Sequence, residues 1–385
     1  MVWTWGLLAC GRSKEWNNGD TYFADKRSGP HNDGSEILQC GYDCIRIRRW
    51  MKMEFIRLGK TDMWVSKLSL GTWEMGGDSV WADESDRESV RIIREGLEHG
   101  INFIDTAPLY GRGHSEELIA SAVNGRRNEY IIATKCGLNW ENRGNFQFER
   151  DGVAWCVDFS PQGLRRDLES SLERLGTDYV DLYYTHRPVP PEQTDEVLDT
   201  MMRFRQEGKI RAIGLSNMTR ATYDAFVYKG MLDAVQLKYS LLDPEYGEQY
   251  FESCQANGVV YQAFSALARG ILTGRLGRET VVENQAHKAF GWFQMERRED
   301  LIMMLENWKK TLCPKYRCSL ASLALAWTMG RCIMLTVLFG VRRIENLYDT
   351  LQSTQIKLEQ EDVCRMESDA RLLIQKYKQE WREKQ

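Results

Sequence analysis

Four residues in the middle of the chain, Asp105, Tyr110, Lys135 and His186, are of types that together can move a proton onto a reacting oxygen. Asp105 and Tyr110 stand in FIDTAPLY, Lys135 closes YIIATK and His186 closes VDLYYTH. Where negative charge grows on an oxygen, a proton donor must stand within hydrogen-bond reach. A phenol can serve if a nearby ammonium lowers its pKa from about 10 toward working pH. That ammonium, taken out of water, keeps its proton only beside a carboxylate. A neutral imidazole can then orient the oxygen. Singly, each residue has a plainer reading: the Asp caps a loop, the Lys reaches water, the His is a hydrogen-bonded core residue and the Tyr packs.

Only a fold that lines up strand ends makes these four a site, and the chain is patterned for one. Residues 54–68, EFIRLGKTDMWVSKL, read as two short strands turning at Gly59-Lys60. Strand-like runs follow at 68–71, 101–107, 130–135, 180–186, 210–216, 234–239, 259–265 and 336–340. Helical patterns separate them at 85–99, 115–123, 161–175, 194–207, 219–228, 247–256, 297–311, 319–329 and 344–352, and a last one covers 359–378. Short β-branched runs with crossover helices favour a parallel sheet, and eight such units favour closure. The expected fold is therefore α/β, a (β/α)8 TIM barrel with an N-terminal β-hairpin and a C-terminal helix.

In such a barrel functional groups gather at the C-terminal ends of the strands. Asp105, Lys135 and His186 end the neighbouring strands two, three and four, with Tyr110 in the loop after strand two. Strand five ends at Ser216-Asn217, and strand six carries Gln236.

The remaining composition narrows the classes. A net charge of −4, from 51 basic and 55 acidic residues, gives no field for nucleic acid or an anionic membrane. No apolar run approaches membrane-spanning length. The five histidines form no HxxxH or HxH pair and the ten cysteines no CxxC, so spacing supports no metal centre and fits reduced cytoplasmic thiols. Residues 1–52 lack a period and carry Trp3, Trp5, Trp16 and Trp50 with a polar, Gly-rich run at 17–35. They read as a non-core extension, disordered or an upstream-start artefact, ahead of a single domain over 53–385. LLACG at 7–11 has the small residue and cysteine of a lipoprotein site but neither its basic n-region nor a long enough apolar core.

With DTAPLY, ATKCG and YYTHRP in this order, the chain resembles the aldo-keto reductases, NADPH-dependent (β/α)8 barrels with an Asp, Tyr, Lys and His tetrad. RLGKTDMWVSKLSLGTW, GKIRAIGLSN, VQLKYS and GILTGR extend the resemblance from about Arg57 to about Thr350. It implies Tyr110 as proton donor, Lys135 and Asp105 as its tuning pair, and His186 orienting the carbonyl. It implies a nicotinamide held by Ser216, Asn217 and Gln236, with Phe264 stacked on the ring where the family often has Tyr. Ser265, Leu267, Gly270, Thr273 and Arg275 would wrap the pyrophosphate, and Thr72, Trp73 and Gly340 would join the cofactor contacts. LFGVRRIENLYDT resembles the adenosine-phosphate clamp, in which Arg342 would meet a 2′-phosphate at a helix start. Asn346, Asp349 and Thr350 depart there from the common Gln, Glu and Asn. The cofactor implied is NADPH/NADP+, with NADH possible.

GRGHSEE at 111–117 fails as a dinucleotide fingerprint because Glu116 stands at the third glycine; Ser115 reads instead as a helix N-cap. On the substrate side, Trp73, Trp81 and Trp140 lie in loops over the barrel mouth and make either an aromatic pocket or packing between loops. Arg187 meets an anionic or sugar-like substrate or pairs with an acid. The expected partner is a small-molecule carbonyl compound, an aldehyde, ketone or sugar; the contrasting reading is a cofactor-binding regulatory or channel-subunit-like protein.

Overall fold

The computed structural model describes residues 53–77, 81, 85–281, 291–293 and 295–383, so the expected extension over 1–52 lies outside the described residues. Two short antiparallel strands come first, β1 (Phe55–Arg57) and β2 (Trp64–Ser66). Eight parallel strands then close a barrel: β3 (Leu68–Gly71), β4 (Phe103–Asp105), β5 (Ile131–Cys136), β9 (Val180–Thr185), β10 (Ile210–Ser216), β11 (Ala234–Lys238), β12 (Val260–Phe264) and β13 (Leu335–Gly340). Helices α1 (Asp86–Glu98), α2 (His114–Val123), α3 (Pro161–Leu175), α4 (Thr194–Gln206), α5 (Arg220–Tyr228) and α6 (Glu245–Asn257) lie between them. After β12 come α7 (Met295–Tyr316) and α8 (Leu320–Met329), and after β13 come α9 (Ile344–Gln352) and α10 (Gln360–Glu383). The expected barrel, hairpin and C-terminal helix are all present.

The strands are apolar throughout because both faces are covered: every residue of β5 and of β9 is buried. The hairpin closes the N-terminal end of the barrel, where Ile56, Leu58, Met63 and Val65 pack with Phe103, Leu182, Tyr184 and Val260. Inside the barrel, Gly214 makes room for Tyr184, whose ring would lie 2.3 Å from a Cβ there. The Tyr184 hydroxyl donates to Gln262 Oε1 at 3.0 Å, and Gln262 Nε2 donates to Ser69 Oγ at 3.0 Å. This polar layer lies across the interior from Ser69 to Tyr184.

Local signals set the helix ends. Ser160 Oγ accepts from Gly163 N–H at 3.1 Å ahead of Pro161, and Gly176 ends α3 in the left-handed conformation. Such a Ser cap is worth about 1 kcal/mol.

One element departs from expectation. The stretch after β5, read as a loop, folds into a three-stranded antiparallel sheet, β6 (Leu138–Asn139), β7 (Asn145–Arg150) and β8 (Val153–Val157), in the order β6-β8-β7. Asp151-Gly152, both at positive φ, turn β7 into β8 in the manner of a two-residue hairpin.

Candidate active site

The C-terminal rim gathers the four sequence-selected residues. Asp105 ends β4 with no exposed surface, and its Oδ1 accepts from Lys135 Nζ at 2.6 Å. The same ammonium donates to the Thr106 carbonyl at 2.9 Å and to the Tyr110 hydroxyl at 3.2 Å. All three donors of the lysine are thus committed. The His186 ring stands edge-on to the Tyr110 ring, centroids 6.1 Å apart.

Burial works against both charges of the inner pair, raising Asp105 and lowering Lys135, while their mutual attraction opposes each shift. Gln236 Nε2 reinforces the carboxylate by donating to Asp105 Oδ2 at 2.6 Å, and it also donates to Gln262 Oε1 at 2.7 Å. Sequence reading assigned Gln236 to a cofactor; its amide nitrogen is spent on Asp105, leaving its oxygen for a ligand.

His186 is held neutral: burial, then the positive charges of Lys135 and Arg187, push its pKa well below the ordinary histidine range. Tyr110 corrects the sequence reading. The expected lowering by Lys135 is outweighed by burial, then by the Asp105 and Glu74 carboxylates, which hold the phenol well above its usual range. Glu74 is a rim group that sequence reading missed. It is half-buried at the turn after β3, and burial pushes its carboxyl up to about 7 against a backbone hydrogen bond and the attraction of Arg342.

Of the expected cofactor contacts, Ser216 and Gln236 are register partners on β10 and β11. Asn217 follows at positive φ, its Nδ2 donating to Ser216 Oγ at 3.1 Å and to the His186 carbonyl at 3.2 Å. Phe264 ends β12 half-buried. The loop beyond it runs through left-handed backbone at Ser265, Ala268, Arg269 and Gly270. Left-handed conformations at non-glycine residues are costly and cluster at ligand sites. Trp73 Nε1 is buried beside Tyr110 with no hydrogen-bond partner. A polar amide patch, an aromatic face, a left-handed loop and an orphaned donor fit a dinucleotide laid across β10 to β13.

Other expected contacts are committed inside the protein. Thr72 is buried, and its hydroxyl joins the Asp105 carbonyl at 3.0 Å to Ser115 Oγ at 2.6 Å, so it braces β4 rather than facing a ligand. Ser115 is correspondingly not the N-cap of α2; that position is Gly113. Glu116 is fully buried, accepting from Thr134 at 2.6 Å and pairing with Arg174 at 2.7 Å. Asp349 takes the Ser319 hydroxyl at 2.8 Å, and Asn346 Oδ1 accepts from Arg275 at 3.0 Å. Thr273 Oγ1 donates to the Gly270 carbonyl at 2.6 Å, and Leu267 packs against the core. A Cβ on Gly340 would lie 2.2 Å from the Glu74 carboxyl, so that carboxyl rests on the end of β13. Arg342 stands 5.8 Å from the Trp81 ring.

The mouth is ringed by aromatics. Trp73 meets Trp81 edge-on at 5.3 Å, Trp140 meets Trp155 at 5.5 Å, and Trp155 stacks on Phe148 at 6.0 Å. Arg187 stands 5.6 Å over Phe148, and its buried Nε has no hydrogen-bond partner. The β7–β8 hairpin thus supplies a wall that sequence reading missed, although Asp151-Gly152 signalled its turn. A cavity of about 240 Å³ opens between this hairpin and the 109–112 segment, lined by Leu109, Arg112, Arg150 and Trp155 among others.

The Aldo/keto reductase family model matches residues 67–370. An NADH-specific methylglyoxal reductase of Escherichia coli is 36% identical over 327 residues, which cover 83% of this chain and 99% of that protein. An aldo-keto reductase of Bacillus subtilis is 32% identical over 313 residues, 80% of this chain and 91% of its own length. Among solved structures, a glycerol dehydrogenase from Gluconobacter oxydans matches with a TM-score of 0.73 at 29% identity, over 82% of this chain and 94% of that one.

Proposed function

The chain belongs to the aldo/keto reductase family of oxidoreductases, and on that premise we propose that it reduces a small aldehyde or ketone at the rim built by Asp105, Tyr110, Lys135 and His186. The observation that carries this reading is the unbroken hydrogen-bonded line from Asp105 through Lys135 to Tyr110. A protein that only bound a dinucleotide would have no use for a buried ion pair beneath a phenol.

Ser216, Asn217 and Gln236 would hold the nicotinamide end, Phe264 its ring, and the 265–275 loop the pyrophosphate. NAD(P)H bound there supplies the hydride. The chain's own residues do the rest. Neutral His186 donates a hydrogen bond to the carbonyl oxygen and fixes its direction. Tyr110, protonated throughout the working range, gives its proton to that oxygen as charge develops. The phenolate left behind faces Lys135, whose ammonium Asp105 supports against the effect of burial. In the opposite direction Tyr110 must first lose its proton, so alcohol oxidation should rise with pH where reduction does not.

The aromatic mouth fits a compact substrate. The relatives named above act, by their names, on methylglyoxal and glycerol. The test is NADH and NADPH oxidation with methylglyoxal, glyceraldehyde, simple aldehydes, ketones and sugars. Turnover of at least one carbonyl compound with either cofactor supports the reading, and none across the panel from a folded protein contradicts it.

A further inference from the structure

This inference rests on the reading above, that the rim binds NAD(P)H, and concerns which of the two dinucleotides it takes. They differ by one phosphate on the adenosine 2′ oxygen, an anion of nearly two charges at neutral pH. Such a group is held by backbone N–H groups at a helix N-terminus and by guanidinium groups. Resemblance puts it at the turn from β13 into α9.

In the structure that turn already carries protein carboxylates. Glu88, reaching across from α1, accepts from the Ile344 N–H at 3.0 Å, which is the first amide of α9. Beyond Glu345, the N–H groups of Asn346 and Leu347 are turned onto the Arg343 carbonyl at 3.0 and 3.4 Å. Glu345 adds an acid in the first turn of the helix.

The cations are less available than their number suggests. Arg342 lies over the Trp81 ring and is drawn toward Glu74. Arg275 donates to Asn346. Arg91 lies 3.6 Å from Glu88, offsetting part of its charge. Arg343 is exposed at the N-cap, with Glu345 in the first turn just beyond it.

We propose that the Glu88 carboxylate, seated on the Ile344 amide, selects against the 2′-phosphate and makes this chain bind NADH in preference to NADPH. A helix N-terminus favours one anion, and here the protein supplies it. A phosphate arriving at the same turn must displace Glu88 or sit beside it, and like charges at that range repel. Glu88 acts only on the phosphate that distinguishes the two cofactors, so its effect falls on their ratio.

The experiment is equilibrium binding of NADH and of NADPH to the full chain, read by quenching of tryptophan fluorescence at matched low ionic strength. The wild-type chain should bind NADH about tenfold more tightly or better. Glu88→Gln keeps an acceptor for the Ile344 N–H and removes the charge, and should move the ratio toward NADPH by about tenfold. Glu88→Lys should move it further. Added salt should shrink the wild-type preference, since it screens the repulsion. Equal or tighter NADPH binding by the wild type, or an unchanged ratio in Glu88→Gln, overturns the inference while leaving the carbonyl-reductase reading standing. If neither dinucleotide binds, that reading falls and this inference with it.

Discussion

The ammonium of Lys135 lies 3.2 Å from the hydroxyl of Tyr110, with Asp105 2.6 Å behind it. The phenol nevertheless sits well above its usual pKa, because burial and the Asp105 and Glu74 carboxylates outweigh one ammonium. The pair therefore stores a proton on Tyr110 until a developing oxyanion takes it, and Lys135 is placed to stabilise what remains.

Asp105→Asn should harm both fold and chemistry. Lys135 would keep its burial and lose its counter-charge, so it would release its proton and stop supporting Tyr110. Breaking a buried pair from one side costs roughly 3–5 kcal/mol. Urea unfolding should show a midpoint lowered accordingly, with kcat falling together with it. An unchanged midpoint would mean that the pair contributes little.

Gly76→Ala tests how Tyr110 is placed. A Cβ at residue 76 would lie 2.6 Å from the Gly111 amide nitrogen and 2.8 Å from the Tyr110 carbonyl carbon, both backbone atoms that cannot step aside alone. The tyrosine segment must shift. Overpacking of this kind costs about 1–3 kcal/mol. The expected result is a kcat reduced far more than cofactor affinity; equal losses in both would place the damage elsewhere.

Glu74 predicts a pH dependence of stability. Its folded pKa of about 7 lies above its ordinary 4.5, so the folded state binds the extra proton between those values. The contribution is therefore fully present below about 4.5 and is lost as pH rises through 7. Glu74→Gln should remove that loss, making the variant more stable than wild type at pH 8 and closing the gap toward pH 4.5. Thermal unfolding at the two pH values measures this directly, and a pH-independent difference would contradict it.

The barrel could be read from the sequence because its strands are short, continuously apolar runs alternating with helical patterns, and Asp105 stood out as a carboxylate ending such a run. Strand order brought Asp105, Lys135 and His186 to one rim with Tyr110 in the loop beside them, and the family resemblance supplied their reading as a tetrad. What escaped were relations that only three-dimensional packing creates. Glu74, far from Tyr110 in sequence, is brought within electrostatic reach of its hydroxyl by the close approach of two turns. Ser115 carried a good N-cap signal, but its hydroxyl faces inward to Thr72. Strand β7 is largely exposed, so its alternation lacked the apolar contrast that marks a core strand. Arg342 fitted the adenosine-phosphate position in the family pattern, yet its partners Trp81 and Glu74 come from the loop after another strand.

The central claim, that Tyr110 donates the proton, is tested most directly by Tyr110→Phe. Losing a positioned general acid lowers the rate by about 10²–10⁴-fold. The account predicts a loss of kcat in that range on any carbonyl compound the wild type reduces, with cofactor-induced quenching of tryptophan fluorescence retained. A variant that binds cofactor and turns over at the wild-type rate would contradict it.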